Sequence, residues 1–240
     1  MVFSVTNLLL NYITDRSQFP GDESARRRRL LEKIAEAVRC GVDFVQLREK
    51  DLTTRDLETL AREVMAIIHE LRTGNRKLKT ALLINSRTDI AVACCANGVH
   101  LRSNDISAVE VRKTWTRCGV GASSTSSRQA LARVTVGISC HTPGEVAYAA
   151  AQGADFAVFG PIFEKKSAPD ARPAGLEALR LACRAKIPVL ALGGITVENA
   201  ESCIQAGAAG IAGIRLFQEN EMSEVVSKLR SVGRSSVFGR

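Results

Sequence analysis

The sequence lacks the features that define several classes of protein. No stretch approaches the roughly 20 consecutive apolar residues of a membrane helix, and the first residues lack the cationic, apolar and cleavage regions of a secretory signal peptide. The seven cysteines form no CxxC pair, and no group of histidines and cysteines has zinc-binding spacing. We therefore expect a cytoplasmic protein with reduced thiols, without a membrane partner or a structural zinc ion.

Aromatic residues are also scarce, at 5% of a chain that carries a formal net charge of +8. Nucleic-acid binding is one explanation for a basic chain, but few aromatic side chains are present on which bases could stack. The arginines at 26–29 precede Leu30, Ile34 and Val38, which have helical spacing, so we interpret them as the solvated first turn of a helix. We expect no nucleic-acid partner and prefer small phosphorylated molecules, which a basic surface also attracts.

Eight short runs rich in β-branched and apolar residues alternate with amphipathic stretches. The predicted strands are 8–13, 42–47, 80–84, 98–101, 134–139, 156–159, 189–192 and 210–214. The predicted helices include 56–71, 107–116, 143–152, 176–185 and 197–206. Eight βα units in 240 residues predict one α/β domain over residues 1–240, folded as a single TIM (β/α)8 barrel.

The residues between these elements agree with this division of the chain. Gly41, Gly153 and Gly207 each follow a predicted helix and precede a predicted strand, where a left-handed helix C-cap is expected. The segment 119–128, rich in serine and glycine, is predicted to be a lengthened, mobile loop. Residues 231–240 are predicted to be a frayed, flexible tail.

Gln46, Arg48 and Lys50 occupy alternate positions at the end of the second predicted strand. Because side chains on a strand alternate between its two faces, one amide and two cations project together there. Such a row repels itself unless an anion joins it, and an arginine fork beside a lysine suits the oxygens of phosphate or diphosphate. This segment is the clearest indication of function in the sequence.

The other predicted strands also end in polar residues, and active sites of TIM barrels lie where strands end and βα loops begin. Gly193 and Gly194 follow the seventh strand, and their N–H groups, ahead of a helix predicted from Val197, could bind an oxyanion. A plain tight turn is the alternative. The further strand-end residues are Asn85-Ser86-Arg87, 100–105, Ser139-Cys140-His141 and Arg215.

These strand-end motifs resemble those of the thiamine phosphate synthase and TenI family, over residues 10–217. The family's synthases join an aminopyrimidine-methyl diphosphate to a hydroxyethylthiazole phosphate, which gives thiamine phosphate and diphosphate. Each motif is weak alone, but eight in the same order are highly specific. The motifs are Gln46-Leu-Arg-Glu-Lys50, Asn85 with Arg87 and Asp89, Gly98-Val-His-Leu101, Gly137-Ile-Ser-Cys-His141, Gly153-Ala-Asp155, Phe159-Gly-Pro-Ile-Phe163, Pro188-Val-Leu-Ala-Leu-Gly-Gly-Ile195 and Gly207-Ala-Ala-Gly210.

The resemblance implies roles for the matching residues and a Mg²⁺ ion that assists departure of diphosphate. Asp105 matches one metal ligand, but Ser86 replaces the second, and a neutral hydroxyl is a poorer ligand for Mg²⁺ than a carboxylate. The family precedent also favours a homodimer. The residues implied for the diphosphate and the pyrimidine are Gln46, Arg48, Glu49, Lys50, Asn85 and Ser139.

The thiazole phosphate side departs further from the family pattern. Gly194 matches a phosphate-binding position, but residues 165–168 read Lys-Lys-Ser-Ala where the family has Thr-x-Thr-Lys. We expect Lys165 and Ser167 to supply contacts there. We also hypothesise that Arg215, where the family usually has serine, holds the thiazole phosphate with Gly194. An outward Arg215 that pairs with a neighbouring helix is the alternative.

Two other functions stay open at this stage. TenI-like thiazole tautomerases also lack the carboxylate at Ser86, but Pro161 stands where they carry an acid-base histidine, so His141 would have to replace it. The second alternative is a catalytically silent regulatory protein that binds a phosphorylated ligand. His141 could contact substrate or cap the helix at Pro143, and His100 could reach the barrel mouth or lie in the core, which we favour.

Overall fold

The computed structural model describes residues 8–118, 133–164 and 172–237. Their strands are β1 (Leu9–Ile13), β2 (Phe44–Leu47), β3 (Ala81–Asn85), β4 (Gly98–Leu101), β5 (Thr135–Cys140), β6 (Phe156–Phe159), β7 (Val189–Leu192) and β8 (Gly210–Gly213). Each strand pairs in parallel with the next, and β8 pairs with β1, which closes the barrel. The predicted α/β TIM barrel is therefore confirmed, with all eight predicted strands present.

Helices follow the strands, and a 3-10 turn (Arg16–Gln18) follows β1. The helices are α1 (Glu23–Arg39), α2 (Thr54–Gly74), α3 (Thr88–Ala93), α4 (Ala108–Arg117), α5 (Pro143–Ala151), α6 (Gly175–Ala182), α7 (Ala200–Gln205), α8 (Arg215–Gln218) and α9 (Met222–Val237). The predicted left-handed glycines are confirmed, with φ of +79° at Gly41, +77° at Gly153 and +105° at Gly207.

Two helices, α1 and α7, begin three residues from their predicted starts. Helix α1 begins at Glu23 because the Asp22 carboxylate accepts a hydrogen bond from the Ala25 N–H at 2.8 Å. The four arginines therefore follow an acidic first residue instead of opening the helix. Helix α7 begins at Ala200, after a turn in which the Asn199 side chain accepts from the Thr196 N–H at 2.8 Å.

Helix α9 corrects the prediction of a tail from Ser231, because it continues to Val237. The guanidinium of Arg230 in this helix donates to the Gly41 carbonyl at 2.9 Å and to the Asp43 carboxylate at 2.8 Å. These contacts fix α9 against the residues that precede β2. Residues 238–240 and the predicted loop at 119–128 lie outside the described residues.

Side chains of the strands alternate between two apolar layers. Leu10, Val45 and Leu82 face outward and pack with the helices in the larger buried cluster. Leu9, Phe44 and Leu83, from the same three strands, point into the barrel and form a second cluster with residues of other strands. The barrel is therefore a packed core, and its inward-facing positions become polar only towards the carboxyl ends of the strands.

The cysteines agree with the expectation of reduced thiols. All seven are free, and they lie in both buried and exposed positions. Within the part of the chain that the structure describes, every helix is too short or too polar to cross a membrane.

Candidate active site

The carboxyl ends of the strands open into a cavity of about 490 Å³, a volume typical of sites for small molecules. Residues that are far apart in sequence meet here, because every parallel strand delivers its last side chains to the same end of the barrel. Eight of the predicted site residues line the cavity: Gln46, Arg48, Lys50, Asn85, Ser139, His141, Gly194 and Arg215.

The wall of this cavity is cationic. Arg48, Lys50, Arg102 and Arg215 contribute four basic side chains to it. No aspartate or glutamate among the described residues lines the same cavity. A concave surface with charge of one sign attracts ligands of the opposite sign, and guanidinium groups match phosphoryl oxygens in geometry. The cavity is therefore suited to an anion with several oxygen atoms.

A chain of side-chain hydrogen bonds fixes the amides at the cavity floor. Asn11 Nδ2 donates to Gln46 Oε1 at 3.4 Å, and Gln46 Nε2 donates to Asn85 Oδ1 at 2.9 Å. Asn85 Nδ2 then donates to Ser86 Oγ at 3.3 Å, and the Ser86 hydroxyl hydrogen-bonds to Asp105. Because donation runs in one direction and ends on a carboxylate, the amides of Gln46 and Asn85 keep a fixed orientation, with one N–H each left for a ligand.

Asp105, predicted to bind metal, does not line this cavity but borders an adjoining cavity of about 150 Å³. Its carboxylate accepts a hydrogen bond from the Arg102 backbone N–H at 2.8 Å and pairs with Arg102 Nη2 at 3.1 Å. Burial acts to raise the pKa of Asp105, but the hydrogen bonds from the Arg102 N–H and the Ser86 hydroxyl outweigh it and lower the pKa. Asp105 is therefore ionised and already has one cationic partner.

The oxygens of Asp105 and Ser86 define what kind of metal site the chain could form. Among the described residues, no group of three or more histidine, cysteine, aspartate or glutamate side chains could hold a metal ion. One carboxylate and one hydroxyl are too few to hold Mg²⁺ alone, but Mg²⁺ commonly binds through one or two carboxylates plus substrate phosphates. The donor set fits an ion that is shared with a phosphorylated substrate.

Glu49 is not brought to the cavity, contrary to the prediction. Its side chain is only 1% exposed and accepts hydrogen bonds from the Thr14 hydroxyl at 2.6 Å and from Arg16 Nη1 at 3.2 Å. Arg16 is itself buried and also pairs with Asp51 at 2.7 Å. Glu49 points away from the cavity, whereas Arg48 and Lys50 on either side of it line the cavity. It anchors the loop that carries them.

The glycine pair after β7 forms a tight turn at the cavity wall. Gly193 and Gly194 have φ of +96° and +66°. A Cβ on Gly194 would lie 2.6 Å from the Glu164 carbonyl oxygen and 2.7 Å from Phe163 Cβ, so only glycine fits there. Because α7 begins only at Ala200, the N–H groups of the pair belong to the turn itself, and the expected helix N-terminus does not contribute.

His141 lines the cavity and is tied to the loop after β6. Its Nδ1 lies 2.7 Å from the Gly160 carbonyl oxygen, which can only accept, so Nδ1 carries a proton. The cap of α5 is Thr142, whose hydroxyl accepts from the Glu145 N–H at 3.2 Å. The capping role considered for His141 is therefore wrong, and its position favours a contact with a ligand.

His100 is both a core residue and part of the cavity floor. It is 1% exposed, lines the cavity, and its Nε2 lies 2.9 Å from Ser139 Oγ. Burial lowers the pKa of His100 to about 3, so the ring is neutral at physiological pH. From the sequence we favoured a core position for His100. The structure also gives its ring a hydrogen-bond partner, Ser139, which lines the cavity.

Several residues that line or support the cavity were not singled out from the sequence. Arg102, Ser103 and Asn104 line the cavity within the segment noted after β4, and Gln18 reaches it from the 3-10 turn. Asn11 could have been noticed as a polar residue between the inward-facing Leu9 and Ile13 of an apolar strand. The predicted phosphate contacts Lys165 and Ser167 lie outside the described residues.

Comparisons with known proteins agree with this geometry. The family model described as "Thiamine monophosphate synthase" matches residues 11–134 and 126–217. A candidate thiamine-phosphate synthase of Aquifex aeolicus is 39% identical over 208 residues, which cover 86% of this chain and 96% of that protein. The thiamine-phosphate synthase of Clostridium novyi is 34% identical over 224 residues, 92% of this chain and 96% of its own.

Among solved structures, a thiamine phosphate pyrophosphorylase from Pyrococcus furiosus superposes on this chain with a TM-score of 0.73. The two are 26% identical, and the match covers 98% of this chain and 99% of that one. The family match extends over most of the barrel and includes the strand ends that form the cavity. The chain therefore belongs to the thiamine monophosphate synthase and TenI family.

Proposed function

We propose that the chain is a thiamine phosphate synthase, a transferase that joins an aminopyrimidine-methyl diphosphate to a hydroxyethylthiazole phosphate. The observation that carries the proposal is the cavity with four basic side chains and no carboxylate among the described residues that line it. The substrates carry three phosphoryl groups between them, and a cavity of this charge attracts both. Relatives that cover most of this chain bear the same activity in their names.

The reaction breaks the C–O bond between the pyrimidine methylene and the diphosphate, and the thiazole nitrogen forms the new C–N bond. We assign Arg48 and Lys50 to the departing diphosphate. Negative charge on this leaving group grows as the C–O bond breaks, so the two cations stabilise the transition state more than the bound substrate. Gln46 and Asn85 each offer one N–H at the cavity floor, held in place by their mutual hydrogen bond. Ser139 faces the pyrimidine side.

The thiazole phosphate is assigned to the wall of the cavity that follows β7 and β8. The turn at Gly193 and Gly194 brings backbone N–H groups to this wall, and Arg215 lies on it at the start of α8. A phosphate held there has its charge offset by a guanidinium. Lys165 and Ser167 remain predicted contacts of the same phosphate, and His141 a predicted contact of the substrate.

We further propose that Mg²⁺ is bound by Asp105, with Ser86 beside it, once a diphosphate substrate supplies further oxygens. When bound, the ion would neutralise charge on the diphosphate. Asp105 would exchange its ion pair with Arg102 for this contact, which leaves the guanidinium of Arg102 available to the cavity.

The cellular setting that fits this reading is the cytoplasm, where seven free thiols would stay reduced. A homodimer is the assembly we propose from the family precedent. Analytical ultracentrifugation tests for the homodimer, since a single species of monomer mass at micromolar concentration would rule it out.

The coupling reaction itself tests the proposal. Purified protein is supplied with both substrates and Mg²⁺, and thiamine phosphate and diphosphate are measured by chromatography. We expect both products in equal amounts, and a strong loss in Arg48→Ala. The matched control is Arg28→Ala, which removes an exposed arginine of α1 whose side chain is 69% exposed. Binding of both substrates without any product would instead indicate the silent regulatory protein.

A further inference from the structure

His100 has one polar contact where its ring offers two polar atoms. Its Nε2 lies 2.9 Å from Ser139 Oγ, and its Nδ1 is buried without a hydrogen-bond partner among the described residues. Around Nδ1 the barrel is tightly filled: a Cβ on Gly137 would lie 2.8 Å from Nδ1 and 2.4 Å from Phe156 Cζ. The ring of Phe156 lies 6.0 Å from the imidazole, centroid to centroid. The surroundings of Nδ1 are therefore apolar and closed.

This asymmetry decides which nitrogen carries the proton. A neutral imidazole has one N–H and one lone pair, and a buried N–H without a partner is rarer and less favourable than a buried acceptor without one. With the proton on Nε2, the N–H is satisfied by Ser139, and only the Nδ1 lone pair lacks a partner. With the proton on Nδ1, a donor would be buried in apolar surroundings.

The direction of the hydrogen bond at Ser139 follows from this assignment. If His100 Nε2 donates, Ser139 Oγ accepts, and the hydroxyl proton of Ser139 is free to point elsewhere. Ser139 lies near the end of β5, where the apolar interior of the barrel ends and the cavity begins. The Ser139 hydroxyl therefore acts as a hydrogen-bond donor towards a ligand bound at the floor of the cavity.

We propose that His100 is a positioning residue, held as the Nε2–H tautomer, which makes Ser139 a fixed hydrogen-bond donor to an acceptor atom of the pyrimidine substrate. The identity of the substrate rests on the proposed function, whereas the tautomer and the direction of the hydrogen bond do not. A neutral donor suits an unprotonated ring nitrogen. The diphosphate instead has Arg48 and Lys50, two cations that line the same cavity.

The tautomer can be measured directly by ¹⁵N NMR of the imidazole in the full chain, without any ligand. We expect a protonated Nε2 and a bare Nδ1 for His100, with the Nε2 resonance changed in Ser139→Ala. A protonated Nδ1 would overturn the proposal, whatever the enzyme activity. This result does not depend on the substrate, so it separates the inference from the proposed function.

Variants test the consequence for binding. In His100→Gln the amide Nε2 can still donate to Ser139, so we expect affinity for the pyrimidine diphosphate within about threefold of wild type. In His100→Leu we expect a loss of about tenfold, with no further loss when Ser139→Ala is added. Affinity for inorganic diphosphate should stay within about twofold in all variants, because the proposal assigns Ser139 to the pyrimidine and the diphosphate to Arg48 and Lys50.

Calorimetry with the two ligands distinguishes the outcomes, and circular dichroism checks that each variant is folded. An equal loss for inorganic diphosphate in His100→Leu would indicate a general structural defect and overturn the positioning role. Additive losses in the double variant would also overturn it. If His100→Leu does not fold, the comparison of His100→Gln with Ser139→Ala takes its place, and equal losses in these two would contradict the proposal.

Discussion

We expect acid to destabilise the barrel through one side chain, His100. Burial lowers the pKa of this imidazole to about 3 in the folded chain, whereas the unfolded chain has a value of about 6.5. The unfolded state therefore binds a proton at a higher pH than the folded state does. As a result, the free energy of unfolding decreases as the pH falls from about 6.5 towards 3. The stability that the folded chain retains by keeping His100 neutral is fully present above about pH 6.5 and absent below the folded-state pKa.

The size of the effect follows from these two pKa values. Between about pH 7.5 and about pH 5, protonation of the unfolded chain alone should cost about 2 kcal/mol of unfolding free energy. The matched control is His100→Gln, which keeps a donor towards Ser139 but cannot titrate. Other titrating groups are common to both proteins, so their contributions cancel in the difference.

Urea unfolding at a series of pH values measures this difference. We expect the two stability curves to run parallel above about pH 7 and to diverge below it, with wild type losing about 2 kcal/mol relative to the variant by about pH 5. Parallel curves over the whole range would refute the reasoning, because they would mean that His100 is not a neutral, desolvated group in the folded chain.

Further predictions concern the cavity wall and its support. Arg48→Ala should lower kcat/KM for the pyrimidine diphosphate by about 10- to 100-fold, since a charge-assisted hydrogen bond is lost, while Arg28→Ala leaves steady-state kinetics unchanged; equal effects would contradict the assignment. Gly194→Ala should raise KM for the thiazole phosphate without weakening calorimetric binding of diphosphate, because the added Cβ meets backbone of the preceding loop; unchanged KM would exclude this turn as the phosphate site. Arg16→Met should cost about 3–5 kcal/mol in urea unfolding, since it leaves a buried carboxylate without its cation; a loss below about 1 kcal/mol would show that this ion pair is not structural. Arg102→Ala should tighten Mg²⁺ binding to the diphosphate complex by about two- to fivefold in calorimetry, because the cation no longer competes for Asp105; weaker Mg²⁺ binding would contradict the shared site.

The barrel could be predicted from the sequence because its signals are local. Each strand is a short apolar run, each helix is amphipathic, and glycines such as Gly41 and Gly153 mark the returns from helix to strand. The end of α9 could have been predicted as well. Val225, Leu229 and Val232 pack against the core with helical spacing, yet the residues from Ser231 were interpreted as a tail.

The cavity could be predicted only in part, because alternation along one strand shows which residues share a face but not what they contact. Gln46 and Asn85 were expected in one site, and the structure brings them within hydrogen-bond distance. Glu49 was placed with them because it belongs to the family motif Gln46-Leu-Arg-Glu-Lys50. Its actual partner, Arg16, is 33 residues away and belongs to a turn that no local pattern connects with β2. The pairing of Asp105 with Arg102 depends likewise on how one loop folds.

The central claim is that the cationic cavity holds the diphosphate that leaves during the reaction. Calorimetric titration of inorganic diphosphate into the 240-residue chain, with and without Mg²⁺, tests it most directly. We expect saturable binding at one site that tightens when Mg²⁺ is added and weakens in Arg48→Ala. An absence of binding heat under both conditions and at several temperatures, for a protein shown to be folded, would contradict the claim.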